Sequence, residues 1–431
     1  MNPPPAAAPP EPVDVTQTVD HLFRREAGRL VAILTRHFGV AHLHLAEDVV
    51  QDALVRAMQT WPYTGVPQQP SAWLLQTAKH RALDHLRHTR RWHDKQETVA
   101  PLVEDGLQAA LTVAPPQFED EIRDSQLRMM FVCCHPGLPQ EAQVALTLKT
   151  LCGFGEPEIA AAFLSSEAAV AKRLTRARQY LRDQGVTFDL PAADRLAARA
   201  HAVRQALYLL FNEGYKASHG DSLLRADLCA EAIRLGELLA AHPAGESPAT
   251  HALLALMLFN VARLPSRVDD TGGVLLLPAQ DRARWDQRLI RRGVAHLAAS
   301  GEGREVTRFH LEAGIAACHC LAPSWEATVW RQILELYDQL LALDGSPVVA
   351  LNRAVAVAQV DGPAAGLCAL DAIEDGAALA QYHLYHAVAG QLWLDAGDPA
   401  RAAQCYRRAL ELAALPAERE LLQQRLAQSG G

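Results

Sequence analysis

Apolar residues recur every three or four positions along most of this chain, a spacing that predicts helices rather than strands. The clearest stretch is EPEIAAAFLSSEAAVAKRLTRARQYLR, residues 156–182, in which a tight turn separates two short helical patterns. At about 100° per residue the second pattern has one apolar stripe, formed by Val170, Leu174, Ala177 and Leu181. Its opposite side is basic and carries Lys172, Arg173 and Arg176. One face is therefore expected to pack and the other to meet phosphates and base edges.

Helix-start signals support this interpretation. Pro157 suits the first turn of the leading helix, where its missing N–H would have no partner in any case. Ser165 or Ser166 can cap the second helix, with Glu167 favourably placed near the positive end of the helix dipole. The pattern predicts a helix-turn-helix whose second helix enters a major groove. The alternative is an ordinary helical hairpin with a solvated basic face.

Three further helical patterns precede this motif, over residues 19–37, 46–61 and 71–91. In the last of them Leu75, Ala78, Ala82 and Leu86 form the expected buried stripe. The other side is lined by Trp73, His80, Asp84, Arg87 and Arg91. An exposed tryptophan among basic residues suits stacking on unpaired bases, although Trp73 could equally anchor the helix in the core.

The second half of the chain is rich in alanine and leucine, and its pattern predicts a series of consecutive helices. Residues 383–416 follow the spacing of small and large residues found in tetratricopeptide repeats (TPR), which stack helix pairs around a concave surface. A generic helical bundle is the alternative. We predict an all-α protein with two small helical domains, the second containing a helix-turn-helix, and a TPR-like repeat domain. The expected segments are a disordered Pro/Ala tail (1–18), a first domain (19–95), an acidic linker (96–119), a second domain (120–185) and the repeat domain (190–428).

Composition excludes several function classes. No apolar run is long enough to span a membrane, and the N-terminal MNPPPAAAPPEP lacks the features of a signal peptide, so we expect a cytoplasmic protein without membrane association. The eight cysteines form no CxxC pair and are interpreted as buried thiols. No enzyme motif is present, and we expect no catalytic residue, no metal site and no cofactor. The run Cys318, His319, Cys320 cannot point all its side chains at one ion from a helix.

Charge is distributed unevenly around a net value of −8. Residues 71–95 contain six Lys/Arg and two acids, and residues 166–182 contain five and one. Between them, residues 97–124 contain seven acids and one arginine. The chain therefore has two basic patches around an acidic connector, which indicates local nucleic-acid contacts rather than general coating.

This organisation resembles sigma factors of the extracytoplasmic-function (ECF) type. The stretch AEDVVQDALVRAMQTW is similar to the family's helix that docks on the clamp coiled coil of RNA polymerase, so the resemblance implies polymerase contacts at Asp48, Gln51 and Asp52. A solvated acidic face is the alternative interpretation. Residues 124–182 resemble the family's −35 reading domain, which implies that the basic helix from Lys172 to Arg178 lies in the major groove.

The stretch SAWLLQTAKHRALDHLRHTRR resembles the family's promoter-melting and −10 reading element. The resemblance assigns DNA contacts to Lys79, His80, Arg81, Asp84, Arg87, Arg90 and Arg91. Members commonly have asparagine where this chain has His80, which bears on the −10 preference. The acidic linker would thread near the polymerase active centre, or else serve as an ordinary solvated tether.

The resemblance continues through LYLLFNEGYKAS and SPVVALNRAVAVA into the long TPR-like extension of one sigma subgroup. It implies a protein that binds core RNA polymerase and promoter DNA and directs transcription initiation. The concave surface expected of the repeats indicates a protein partner for the extension. A one-component helix-turn-helix regulator, whose repeat half senses a ligand or partner, is the rival from another class. Such a regulator would not need the helices predicted over residues 46–61 and 71–91.

Overall fold

The computed structural model describes residues 15–93, 119–162, 165–189, 193–215, 225–267, 269, 275–373 and 379–430. Throughout these ranges the regular structure is helical and no strand occurs. The chain forms two compact units, Met1–Ala206 and Leu207–Gly431. The predicted all-α class is therefore confirmed.

Among the described residues, the first unit begins with three long helices, continues with shorter ones and ends in another long helix. In chain order they are α1 (Val15–Phe38), α2 (Leu43–Thr64), α3 (Pro70–His93), α4 (Glu119–Cys133), α5 (Gln140–Leu151), α6 (Glu156–Ala162), α7 (Glu167–Asp183) and α8 (Ala193–Tyr215), the last of which crosses into the second unit.

Helix α1 lies at the centre of the first unit, where it packs against α2, α4 and α5. Its buried side chains include Leu30 and Leu34, and α4 and α5 add Phe131 and Leu146 to the core. This helix begins at Val15, four residues earlier than the sequence pattern suggested. Most of the expected tail and of the acidic linker lies outside the described residues.

The second unit is a succession of helices in which neighbours along the chain pack on one another. They are α9 (Ala226–Ala240), α10 (Pro248–Ala262), α11 (Gln287–Ser300), α12 (Arg308–Leu321), α13 (Trp330–Asp344), α14 (Pro347–Asp361), α15 (Pro363–Asp371), α16 (His383–Asp395), α17 (Pro399–Leu412) and α18 (Pro416–Gln428). Among the described residues, no helix is long and apolar enough to cross a bilayer.

Close helix packing in the second unit depends on small residues opposite large ones. Gly390 of α16 faces Tyr406 of α17, and a Cβ at position 390 would lie 2.9 Å from the ring atom Cε1. Tyr406 is only 2% exposed and donates a hydrogen bond from its hydroxyl to Gln391 Oε1 at 3.2 Å. The small and large positions of the predicted repeat at 383–416 thus meet across one helical hairpin.

Candidate nucleic-acid interface

Helix α7 has the amphipathic character expected of a recognition helix. Its inner stripe consists of Val170, Leu174, Ala177 and Leu181, each no more than 2% exposed. These side chains pack toward α5 and α6. The predicted stripe is therefore confirmed, and it fixes which side of α7 faces solvent.

The start of α7 is held by a side-chain cap. Ser166 accepts a hydrogen bond from the backbone N–H of Ala169 at 3.2 Å, so the cap is Ser166 rather than Ser165. The start of the preceding helix α6 is capped in a related way, because the backbone N–H of Gly155 donates a hydrogen bond to Glu158 Oε2 at 2.8 Å. Each cap satisfies a backbone N–H that the helix itself leaves without a partner.

Basic side chains on the outer side of α7 differ in their accessibility. Lys172 and Arg176, one turn apart, are exposed. Arg173 is half-buried, and its Nη2 lies 2.6 Å from Glu141 Oε2 of α5. The freely presented cations on this face are therefore Lys172 and Arg176, which are suited to phosphate or guanine contacts.

Arg178 lies elsewhere, in a buried ion pair between the two halves of the first unit. Its Nη2 is 2.6 Å from Glu47 Oε2 of α2, and the side chains are only 10% and 6% exposed. The other carboxylate oxygen of Glu47 accepts a hydrogen bond from the Thr150 hydroxyl at 2.6 Å. Arg178, placed by resemblance in the DNA-contacting helix, here holds α7 against α2.

Glu47 was not predicted from the sequence, although its neighbour Asp48 was assigned to a contact surface. The only local signal is an acid on the apolar side of a helix, directly after Ala46. Its partner Arg178 is 131 positions away, and no local pattern connects the two. Buried acids are uncommon unless they are paired.

The two halves of the first unit also approach each other closely where α1 crosses the end of α5. A Cβ built on Gly28 would lie 1.9 Å from the carbonyl oxygen of Leu151, a backbone atom that cannot swing away. Position 28 therefore requires glycine for packing and not for backbone conformation.

We expect Gly28→Ala to lower the free energy of unfolding by about 1–3 kcal/mol, because the added methyl group forces two backbones apart. Urea denaturation followed by circular dichroism measures the effect. Gly155→Ala is the matched control, since its nearest neighbours would be 3.5 Å away. Equal stability of the wild type and Gly28→Ala would contradict the close approach.

On α3 the structure separates the predicted DNA contacts into buried and accessible groups. Trp73 is half-buried and meets Trp61 edge-on at 5.5 Å between ring centroids. Lys79 is 7% exposed, because position 79 falls beside Ala78 on the inner stripe, and burial lowers the pKa of its ammonium group. His80, Arg81 and Asp84 are exposed. The side chains of Arg87, Arg90 and Arg91 lie outside the described set.

The outer face of α2 presents the residues assigned to polymerase contact. Asp48, Gln51 and Asp52 are all exposed, and Asp48 Oδ1 lies 3.2 Å from His44 Nδ1. Val55 continues the same face at 40% exposure. The face combines acidic, amide and apolar groups, which is the chemistry of a protein-binding surface with a basic counterpart.

Three segments of the chain match known protein families. Residues 22–92 match Sigma-70 region 2, and residues 128–181 match Sigma-70 region 4. Residues 199–301 match a family of unknown function, DUF6596. An uncharacterized protein of Rhizobium meliloti (strain 1021) is 38% identical over 398 residues, which cover 91% of each chain. No solved structure matches.

Proposed function

Because this chain belongs to the sigma-70 family, as an ECF-like sigma factor with a C-terminal extension, we propose that it binds core RNA polymerase and directs initiation at promoters of defined sequence. The observation that carries the proposal is that the first unit has two separate exposed faces, a basic one on α7 and an acidic one on α2. The first is suited to DNA and the second to a protein. A role in transcription initiation follows from the two sigma regions themselves.

In this proposal α7 enters the major groove at the −35 element. Lys172 and Arg176 are its accessible cations, and arginine is the residue that most often reads the edge of guanine. Lys172 is assigned to a phosphate contact, and such contacts make DNA binding dependent on salt. Arg173 joins them once its surface pair with Glu141 is exchanged for DNA, since such exposed pairs contribute little.

Helix α3 is assigned to the −10 element. His80, Arg81 and Asp84 belong to its exposed polar side. Opening the duplex costs a few kcal/mol per flipped base, which capture of that base by the protein offsets. Trp73 packs on Trp61 at 5.5 Å, so we assign it the role of anchoring α3 rather than of stacking on a base.

Run-off transcription tests the function directly. The assay combines purified core RNA polymerase, this protein and a library of upstream DNA from its own genome. We expect defined transcripts in this mixture and none with core enzyme alone. If DNA is bound but no transcript forms without another sigma factor, the chain is a one-component regulator instead. The protein partner of the extension and the cytoplasmic location stay predictions.

We expect Asp52→Lys to weaken binding to core polymerase about tenfold, or about 1.4 kcal/mol, because it places a cation where the partner surface is expected to be basic. Surface plasmon resonance with immobilised core enzyme measures the change. Glu335→Lys is the control, since it reverses an exposed charge on α13. Normal binding by Asp52→Lys would remove α2 from the polymerase interface.

A further inference from the structure

The second unit contains a cavity that the proposed function does not use. It lies among α13, α14, α16 and α18 and is bordered by Leu276–Pro278. Its volume is about 400 Å³, within the range of about 300–1,000 Å³ typical of small-molecule sites. A cavity of about 150 Å³ already holds benzene, so this one has room for a molecule with more than one ring.

One wall of the cavity is aromatic. The rings of Trp325 and Trp330 meet edge-to-face with centroids 4.7 Å apart, and His319 lies 5.3 Å from Trp330 in the same arrangement. Tyr337 also lines the cavity. All four side chains are only partly buried, so their ring surfaces remain available to a flat ligand.

The facing walls are largely aliphatic. Val355 of α14 and Leu384 and Val388 of α16 border the space, with Leu421 of α18. Leu384 is 38% exposed, an unusual position for a large apolar side chain in a concave surface. Covering these groups would remove apolar area from water, at roughly 25 cal/mol per Å².

Charged groups in the lining already have partners. His383 Nε2 lies 3.3 Å from Glu418 Oε2, and Asp395 Oδ1 accepts a hydrogen bond from Gln391 at 2.8 Å. Arg425 donates to Gln428 at 3.3 Å. Apart from His383, the charged groups of the described lining are the carboxylates of Asp395 and Glu418 and the guanidinium of Arg425. They leave no excess of positive charge for an anionic ligand, which would lose its hydration without a matched counterion.

His319 supplies a neutral polar atom within the aromatic wall. Its Nδ1 is buried and has no hydrogen-bond partner among the residues that the structure describes. Burial, followed by the positive charges of Arg263 and Arg282, lowers the pKa of His319 to about 3. The ring is therefore uncharged at neutral pH, and the two arginines oppose a cationic ligand at this end of the cavity.

From these features we propose that the cavity binds a small, uncharged, planar aromatic molecule that carries one hydrogen-bonding oxygen. The rings lie against Trp325 and Trp330, and the oxygen bonds to the imidazole of His319. The C-terminal extension thereby contains a small-molecule binding site. Binding is a property of the chain by itself and is independent of its action on polymerase.

Three probe molecules of similar shape separate the parts of this proposal. We expect equilibrium dialysis of the full-length protein to show that 2-naphthol binds about tenfold more tightly than the anion 2-naphthoate. Its advantage over naphthalene, which lacks the oxygen, is expected to be about fivefold, as one neutral hydrogen bond supplies. Tighter binding of 2-naphthoate, or no binding of 2-naphthol, would overturn the proposal.

Variants place the binding in this cavity. Val355→Trp fills the space and is expected to weaken 2-naphthol binding at least about tenfold. Leu384→Trp does the same from the partly exposed rim, and so covers the case in which Val355→Trp fails to fold. His319→Phe should abolish the preference for 2-naphthol over naphthalene. Trp393→Leu is the control, because Trp393 packs under Arg401 and does not line the cavity. Unchanged binding in a folded Leu384→Trp variant would contradict the assignment.

Discussion

Replacing Glu47 by alanine is expected to lower the free energy of unfolding of the first unit by about 3–5 kcal/mol, the usual effect of removing one partner from a buried ion pair. The Arg178 side chain is only 10% exposed, and the variant removes the carboxylate that lies 2.6 Å from its guanidinium. It also removes the acceptor of the Thr150 hydroxyl. Urea denaturation measures the loss, and hydrogen exchange in α2 and α7 identifies where it occurs.

A surface pair in the same unit provides the control for this prediction. Glu141→Ala breaks the contact with Arg173, but Glu141 is 68% exposed, so we expect a change of about 0–1 kcal/mol. The double variant Glu47→Met/Arg178→Met should be more stable than Glu47→Ala, because it leaves no unpaired charge. A Glu47→Ala loss no larger than that of Glu141→Ala would show that the pair contributes little.

Arg176→Ala is expected to reduce initiation at the cognate promoter by about 10- to 100-fold, corresponding to roughly 1–3 kcal/mol for one arginine contact to a base. Arg176 is exposed on the outer face of α7, so its removal should not disturb the packed stripe. Run-off transcription and binding to core polymerase are measured in parallel. We expect the first to fall while the second stays unchanged.

Two comparison variants make this result specific. Lys172→Ala should weaken DNA binding about equally for all sequences and reduce the dependence on salt by about one phosphate contact. Arg407→Ala removes an exposed arginine from α17 and should leave initiation unchanged. Equal loss of initiation and polymerase binding in Arg176→Ala would contradict a role in reading DNA.

Much of the architecture was available from the sequence, because helices of this kind are encoded by local periodicity. The stripe of α7 was predicted residue by residue, and so were Leu75, Ala78 and Ala82 of α3, each at most 4% exposed. Turn and cap signals located the helix-turn-helix for the same reason. The start of α1 was less well determined, since helix ends depend on only a few residues.

The contacts between distant segments were beyond a local pattern. The local sequence pattern does not distinguish a basic residue of α7 that faces solvent, such as Arg176, from one that faces a buried acid, such as Arg178. Lys79 likewise appears in a basic cluster but is buried in the fold. The cavity combines Trp325 and Trp330 with side chains of helices up to α18, and no repeat spacing indicates such a cavity.

By itself, the sequence determined the helical class, the sigma-like order of the domains and the polar and apolar sides of each main helix. Periodicity contains this information because every helix must bury one face. Three features were decided by the tertiary structure alone: the ion pair of Glu47 with Arg178, the close contact of Gly28 with the Leu151 carbonyl, and the cavity beside His319. Such contacts depend on how helices cross, and the crossing is set by packing across the whole unit.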